Sequence, residues 1–210
     1  MKKLIWLLLL FATQGNAVVD TVYLVNETWD AYSCGTAEDM ANSSCYAGYR
    51  VAYCAAGALD TYLAFPITST QYSNTINSIK LSSYLTYDNW EGGEQLRIYG
   101  LQQMDCGIIE NQNLSDSTRT TNSLAYTVGN AVGQFTTPDF KVVFNEWITD
   151  YTHSGTDYFG LVIDDNGNAT DPDEEGSRDY SHASYSSNTY LIIDYTPSTT
   201  GSQVIIIQSQ

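Results

Sequence analysis

The sequence predicts an all-β protein, a jelly-roll-type β-sandwich of two antiparallel sheets with one short helix. Apolar residues alternate with polar ones along several short segments, which is the period of a strand with one buried face. Clusters of Asp, Asn and Gly, residues that favour tight turns, separate these segments. A single segment has a helical period. Many short strands with one brief helix are typical of a two-sheet sandwich.

The predicted strands follow one another along most of the chain. Residues 59–67 and 79–85 show the two-residue period most clearly, because their alternate positions are mostly apolar. The further predicted strands cover residues 21–25, 49–55, 95–101, 140–143, 158–163 and 190–195.

One helix is predicted over residues 144–151. Phe144, Trp147, Ile148 and Tyr151 are spaced at i, i+3, i+4 and i+7, so their side chains share one helical face. We expect this helix to cap one end of the sandwich, with Trp147 in the core.

The first 17 residues have the composition of a secretory signal peptide. Lys2 and Lys3 precede an apolar run over residues 4–11, and a Gly-Asn-Ala sequence ends at Ala17. The run is too short to span a bilayer, although a retained membrane anchor is the alternative. We therefore expect residues 18–210 to form one secreted domain, extracellular or at the cell surface, without membrane insertion.

Four cysteines follow the signal, an even number suited to two disulfides in an oxidising compartment. Sequence alone allows three pairings, of which we favour Cys34–Cys45 with Cys54–Cys106. A zinc site is disfavoured because no Cys-x-x-Cys pair occurs. Asn-x-Ser/Thr sequons predict N-glycosylation at Asn26, Asn42, Asn113 and Asn168. Chance occurrence in a chain rich in these residue types is the alternative.

The charge of the chain excludes some partners. Its 8 basic and 24 acidic residues give a net charge of −16, and loss of Lys2 and Lys3 with the signal gives −18. So acidic a surface repels phosphate backbones and anionic lipids, which disfavours nucleic-acid and membrane-surface partners. The charge is compatible with calcium, with neutral polysaccharide, or with a saline or acidic medium.

An acidic loop follows the predicted strand at residues 158–163 and is rich in the oxygen ligands that calcium prefers. The candidate ligands are Asp164, Asn166, Asn168, Asp173 and Glu175. Their spacing imitates an EF-hand loop, but Gly167 stands at the fourth position instead of the sixth and no helices flank the loop. A solvated acidic loop is the alternative to a structural calcium site.

Two tryptophans lie in polar surroundings suited to stacking against a sugar. Trp90 lies in a turn beside Asp88, Asn89 and Glu91, and Trp29 has acidic neighbours. An aromatic ring covers the apolar face of a sugar while carboxylates and amides bind its hydroxyls. These five residues form the predicted carbohydrate-binding set. The alternative is that each tryptophan packs as the anchor of its loop.

Catalysis is not predicted. A Gly-x-Ser-x-Gly motif is absent, and the two histidines, His153 and His182, accompany no nucleophile motif. Carboxylate pairs occur in any chain with 24 acidic residues, and no pair stands out as a general acid and base.

The order of several motifs resembles a DNRLRE-type domain, a secreted β-sandwich grouped with carbohydrate-binding modules and disaggregatase-related repeats. The segments that carry the resemblance are residues 60–67, 75–81, 96–99, 144–147, 157–161 and 177–178. The chain departs from the family in its Cys-rich segment 34–54, and in Asp179, which follows Ser177-Arg178 where the name-giving motif has Leu-Arg-Glu. An apolar segment at 204–207 also continues past the usual end of such domains.

The resemblance implies non-catalytic recognition of extracellular carbohydrate. The alternative is a structural subunit of an extracellular filament or surface layer, assembled from copies of itself by β-strand addition. Residues 196–210 then supply an extra or donated strand, because the uncharged, β-branched segment 204–207 must be covered by a sheet. The predicted strand at 21–25 is a second candidate for such an exchange.

Overall fold

A computed structural model gives the structure of the chain. It describes residues 15–24, 30–34, 37–39, 48–49, 58–85, 95–101, 118–127, 133–150, 152–164 and 189–198. Within these ranges the strands are β1 (Val18–Tyr23), β2 (Asp30–Cys34), β3 (Ala37–Asp39), β4 (Gly48–Tyr49), β5 (Ala58–Thr68), β6 (Thr75–Leu85), β7 (Gln95–Gly100), β8 (Leu124–Thr127), β9 (Gly133–Thr136), β10 (Thr156–Asp164) and β11 (Tyr190–Thr196). The helices are α1 (Ser69–Tyr72) and α2 (Lys141–Asp150).

These strands form two antiparallel sheets. The smaller sheet has the order β1-β11-β6-β9, and the larger has the order β3-β2-β5-β10-β7-β8 with β4 also paired to β5. Without the short β2, β3 and β4, eight strands remain. Counted inward from the two ends of the chain, β1 pairs with β11, β5 with β10, β6 with β9, and β7 with β8. That nested pairing is a jelly roll, which confirms the predicted fold class.

The core lies between the two sheets. In β5 the inward positions hold Leu63, Phe65 and Ile67, and each is fully buried together with the inward residues of β10 and β11. The two-residue period that predicted these strands is therefore the alternation between the core and the outward faces. Helix α2 closes one end of this core through Phe144 and Trp147, as predicted.

The predicted strand at residues 140–143 is wrong, because α2 begins at Lys141. Phe140, Val143, Phe144 and Trp147 are all fully buried, so the i, i+3, i+4, i+7 pattern starts one turn earlier than the prediction placed it. Val142 and Val143 are β-branched and favour strands, but helical packing against the core overrides that preference.

The start of α2 is marked by Asp139. Its Oδ1 accepts hydrogen bonds from the backbone N–H of Lys141 at 3.0 Å and of Ile79 at 2.9 Å. One carboxylate thus satisfies an orphan N–H group of the first helical turn and ties that turn to β6.

The other sequence predictions agree with the described strands, with exceptions at short elements. β1 begins at Val18 instead of residue 21, and of the predicted strand 49–55 only Tyr49 lies within the described residues, in β4. β2, β3, β8, β9 and α1 were not predicted. Each spans five residues or fewer, too short for a period to be recognised.

Among the described residues, no helix is long and apolar enough to cross a membrane.

Candidate functional site

The outward side of the larger sheet carries a cluster of charged and aromatic residues. Strands β5, β10 and β7 lie side by side, and their inward positions fill the core. Their outward positions hold Asp60 and Tyr62 on β5, Tyr158, Val162 and Asp164 on β10, and Arg97 and Tyr99 on β7. We call this surface, together with Arg119, the outer face.

Strand register brings these residues together. Asp164 is opposite Arg97, while Val162 is opposite Tyr99 on one side and Tyr62 on the other. A charged row therefore runs beside an aromatic row across three strands. Directly opposed residues on one face have Cβ atoms about 5 Å apart, so the side chains within each row are in contact range.

Arg119 joins the outer face from the segment before β8. Its backbone forms a bridge with Leu101, and the next residue, Thr120, exchanges hydrogen bonds with Gly100 through its N–H at 2.8 Å and its Oγ1 at 2.9 Å. A Cβ on Gly100 would lie 3.0 Å from both Thr120 and Phe159, so glycine allows this close approach. The backbone of Arg119 is thereby fixed at the end of β7.

The Arg119 guanidinium bridges two carboxylates. Nη2 donates to Asp60 Oδ2 at 2.6 Å and Nη1 donates to Asp164 Oδ2 at 2.8 Å. Its Cζ lies 5.3 Å from the centre of the Tyr99 ring, within the range of a cation–π contact. Asp60 also accepts a 3.4 Å hydrogen bond from the Tyr62 hydroxyl.

Both arginines of the outer face are held in their charged form. Burial acts to lower the pKa of Arg119, but electrostatic interaction with Asp60, then Tyr62 and Asp164, outweighs it, so the pKa is raised above its usual value. The pKa of Arg97 is raised chiefly by its 3.2 Å hydrogen bond to the Tyr99 hydroxyl. Two cations and two carboxylates leave these four residues with no formal net charge.

Beneath the charges lies an apolar floor. Tyr62, Ala64, Leu101 and Val162 form a buried cluster separate from the main core, and Tyr99 and Tyr158 pack against it partly buried. The four cluster residues are at most 1% exposed, so the rings that a ligand can reach are those of Tyr99 and Tyr158, next to the hydrogen-bonding groups of Arg119 and its carboxylates. Such a surface suits a ligand with one apolar side and many hydroxyls.

A second polar contact lies at the α2 end of the sandwich and was not predicted from the sequence. His153 Nδ1 lies 3.0 Å from Asp157 Oδ2, and each of the two side chains is 7% exposed. The imidazole stacks on Tyr72 with 4.5 Å between ring centres, and it makes a tilted contact with Trp147 at 4.3 Å. Asp157 also accepts the N–H of Ser154 at 2.9 Å. These contacts fix the connection from α2 to β10.

Most of the sequence-predicted site residues lie outside the described residues. These are the carbohydrate-binding set Trp29, Asp88, Asn89, Trp90 and Glu91, the sequons at Asn26, Asn42, Asn113 and Asn168, and the cysteines Cys45, Cys54 and Cys106. Cys34 ends β2, where only its backbone is described, so the disulfide pairing stays a prediction.

Of the predicted calcium ligands, Asp164 is described, and Asn166, Asn168, Asp173 and Glu175 are not. Asp164 ends β10 and its Oδ2 is bonded to Arg119. Within the described ranges, no three His, Cys, Asp or Glu side chains are grouped so as to hold a metal ion.

Neither a scan against models of known protein families nor a search of curated proteins finds a match to the chain.

Sequence reasoning did not select Arg119. One signal was present: the chain beyond residue 17 has only six basic residues, so each is a strong candidate partner for its 24 acidic residues. Tyr62 and Tyr99 could also have been selected from the sequence, because they occupy the outward positions of two predicted strands.

Proposed function

We propose that the chain is a secreted, non-catalytic module that binds extracellular carbohydrate through the outer face. The observation that carries the proposal is the contact of Arg119 with Asp60, Asp164 and the Tyr99 ring above an apolar floor. The sequence resemblance to DNRLRE-type domains supports the same conclusion.

The contacts match the chemistry of a sugar. A pyranose has an apolar C–H face that stacks on an aromatic ring, and its hydroxyls bond to carboxylates and guanidinium groups. Arg119 is already oriented by two ion pairs, which lowers the entropy lost when a ligand is bound. Trp90 and Trp29 precede β7 and β2 of the same sheet and are proposed to extend the contact surface.

The expected ligand is a neutral glycan. The two arginines of the outer face are balanced by Asp60 and Asp164, so no unmatched positive charge attracts a uronate or sulfate group. The net charge of −16 adds long-range repulsion of anionic polymers.

A structural calcium ion on the acidic loop is a separate proposal. An ion at Asp164 would share a carboxylate with the Arg119 guanidinium, and two cations on one carboxylate repel each other. We therefore expect any bound calcium to depend on Asp173 and Glu175 more than on Asp164.

Binding can be tested by affinity electrophoresis of the secreted chain in gels that contain neutral or uronate polysaccharides. We expect retardation by a neutral polymer, and about a tenfold loss of affinity, ~1.4 kcal/mol, for Tyr99→Ala and for Trp90→Ala. Tyr190→Ala on the smaller sheet is the matched control and should bind normally. Lack of retardation by every neutral polymer, or equal loss in all three variants, would reject the proposal.

A second candidate function is a structural subunit joined to its neighbours by β-strand addition. It is favoured by β1, an edge strand of the smaller sheet whose Val19 is 63% exposed. Negative-stain microscopy with light scattering on the secreted chain tests it. Ordered filaments that disappear on deletion of residues 202–210 would support this candidate, whereas discrete particles at all concentrations would exclude it.

A further inference from the structure

Strand β1 is an edge strand with apolar side chains on its outward side. Among the described strands it pairs with β11 alone. Val19 is 63% and Tyr23 is 42% exposed, and with Val142 on α2 they are the large exposed hydrophobic residues of the described chain. Edge strands of soluble proteins usually carry a charge or a proline that blocks pairing with another molecule.

The one charged side chain of β1 does not protect this edge. Asp20 points inward, where its Oδ2 accepts hydrogen bonds from Gln71 Nε2 at 3.1 Å and from the Tyr195 hydroxyl at 3.1 Å. The outward side of β1 therefore presents Val19, Thr21 and Tyr23 without a charge.

The sequence of β1 is self-complementary in an antiparallel pair. If Thr21 faces Thr21 of a second copy, Val19 faces Tyr23 of that copy on both sides of the twofold axis. A β-branched residue opposite an aromatic ring is a favourable cross-strand pair. The inward side also tolerates this register, because each Asp20 then faces Val22 and not the other Asp20.

We propose that two copies of the chain associate edge to edge through β1, antiparallel and centred on Thr21. The two smaller sheets then form one continuous sheet of eight strands, with the backbone groups of both edges paired. This dimer goes beyond carbohydrate binding and involves the smaller sheet, whereas the outer face belongs to the larger sheet.

The register can be tested by cross-linking of the full secreted chain. In Thr21→Cys the two new thiols face each other across the axis, within reach of a disulfide after small shifts. We expect a covalent dimer on a non-reducing gel. Tyr23→Cys is the matched control: its thiols would be about 14 Å apart along the strands, at 3.4 Å per residue, and should not join.

The interface can be tested by sedimentation. Val19→Lys and Tyr23→Lys should each weaken the dimer at least tenfold, and Val142→Lys, at a similarly exposed valine on α2, should not. Circular dichroism confirms that the variants are folded. The inference is overturned by a wild-type chain that stays monomeric at about 100 μM, a range in which weak dimers form. Equal cross-linking of the two cysteine variants also overturns it. So does the formation of filaments by the wild type if Ile206→Lys prevents them and Val19→Lys does not.

Discussion

Asp20 shows how a single residue is accommodated on the inward side of an edge strand. A carboxylate there is partly removed from water and must be compensated by hydrogen bonds. Gln71 Nε2 and the Tyr195 hydroxyl supply them, each at 3.1 Å. Burial raises the pKa of Tyr195 above its ordinary value, and the hydrogen bond to Asp20 adds to this effect.

The raised pKa of Tyr195 predicts a loss of stability at alkaline pH. The neutral phenol is favoured in the folded state, so its contribution is complete below the unfolded-state pKa of about 10 and is lost as pH rises through the higher folded-state value. Tyr195→Phe should cost about 1–2 kcal/mol at pH 7 and should flatten the decline above about pH 10. Urea unfolding across this range measures both effects, with Tyr190→Phe as control. A decline as steep in Tyr195→Phe as in the wild type would refute the assignment.

Which residues meet on the outer face depends on more than local sequence. The alternation of side chains along residues 59–67 is enough to assign Tyr62 to the outward side of its strand. The ion pairs of Arg119 with Asp60 and Asp164 depend on how three strands align, and these partners lie 59 and 45 residues away in the chain. No local pattern specifies that alignment, so the sequence does not show which of the 24 acidic residues Arg119 contacts.

At the scale of elements, α2 is joined to the larger sheet by a polar contact as well as by its apolar face. The Glu146 carboxylate accepts the backbone N–H of Thr121 at 2.6 Å, and the backbone N–H and side-chain amide of Asn122 at 2.7 Å each. This contact holds the turn that follows Arg119, so the helix indirectly supports the outer face.

Replacing Glu146 by Gln should loosen this turn. The new amide NH₂ would face a backbone N–H, so at least one hydrogen bond is lost, with a cost of about 1–2 kcal/mol. We expect faster hydrogen exchange at the Thr121 and Asn122 amides. Asp150→Asn removes one negative charge from the same helix and should leave both exchange rates unchanged. Unaltered exchange in Glu146→Gln would show that the turn is held by its backbone contacts alone.

The long elements were predictable and the short ones were not, for a physical reason. β5, β6 and β10 span nine to eleven residues and repeat the two-residue period several times. β8 and β9 span four residues each, and their place is set by pairing with β7 and β6. For α2, Asp139 is a residue type that often precedes a helix, and it does accept the N–H of Lys141 at the helix start. The prediction nevertheless gave residues 140–143 to a strand.

At the scale of the whole molecule, the excess of acidic residues opposes both folding and association. With 24 acidic residues against 8 basic ones, the excess carboxylates repel one another across the surface, and salt screens this repulsion beyond about 10 Å at 0.1 M. The ion pairs of Arg119 are partly buried and are screened less.

We therefore expect the melting temperature to rise as NaCl is increased from about 0.01 M to about 0.5 M, and the proposed dimer to become tighter over the same range. Calorimetry and sedimentation in the same buffers measure the two effects. A KCl series should superimpose on the NaCl series if screening is the cause. A melting temperature that falls with salt would mean that attractive ion pairs outweigh the net repulsion.

The nested strand pairing also limits when the chain can fold during synthesis. Asp20 and Tyr195 meet across 175 residues of sequence, so β1 leaves the ribosome long before its partner β11 exists. At about 5–20 residues per second, β11 follows after roughly 10–35 s. Long-range pairing of this kind is intrinsically slow, with folding times of milliseconds to seconds even for complete small domains. In the nascent chain β1 therefore has no β11 to pair with until synthesis is nearly finished, and its exposed apolar residues are available for wrong contacts during all of that time.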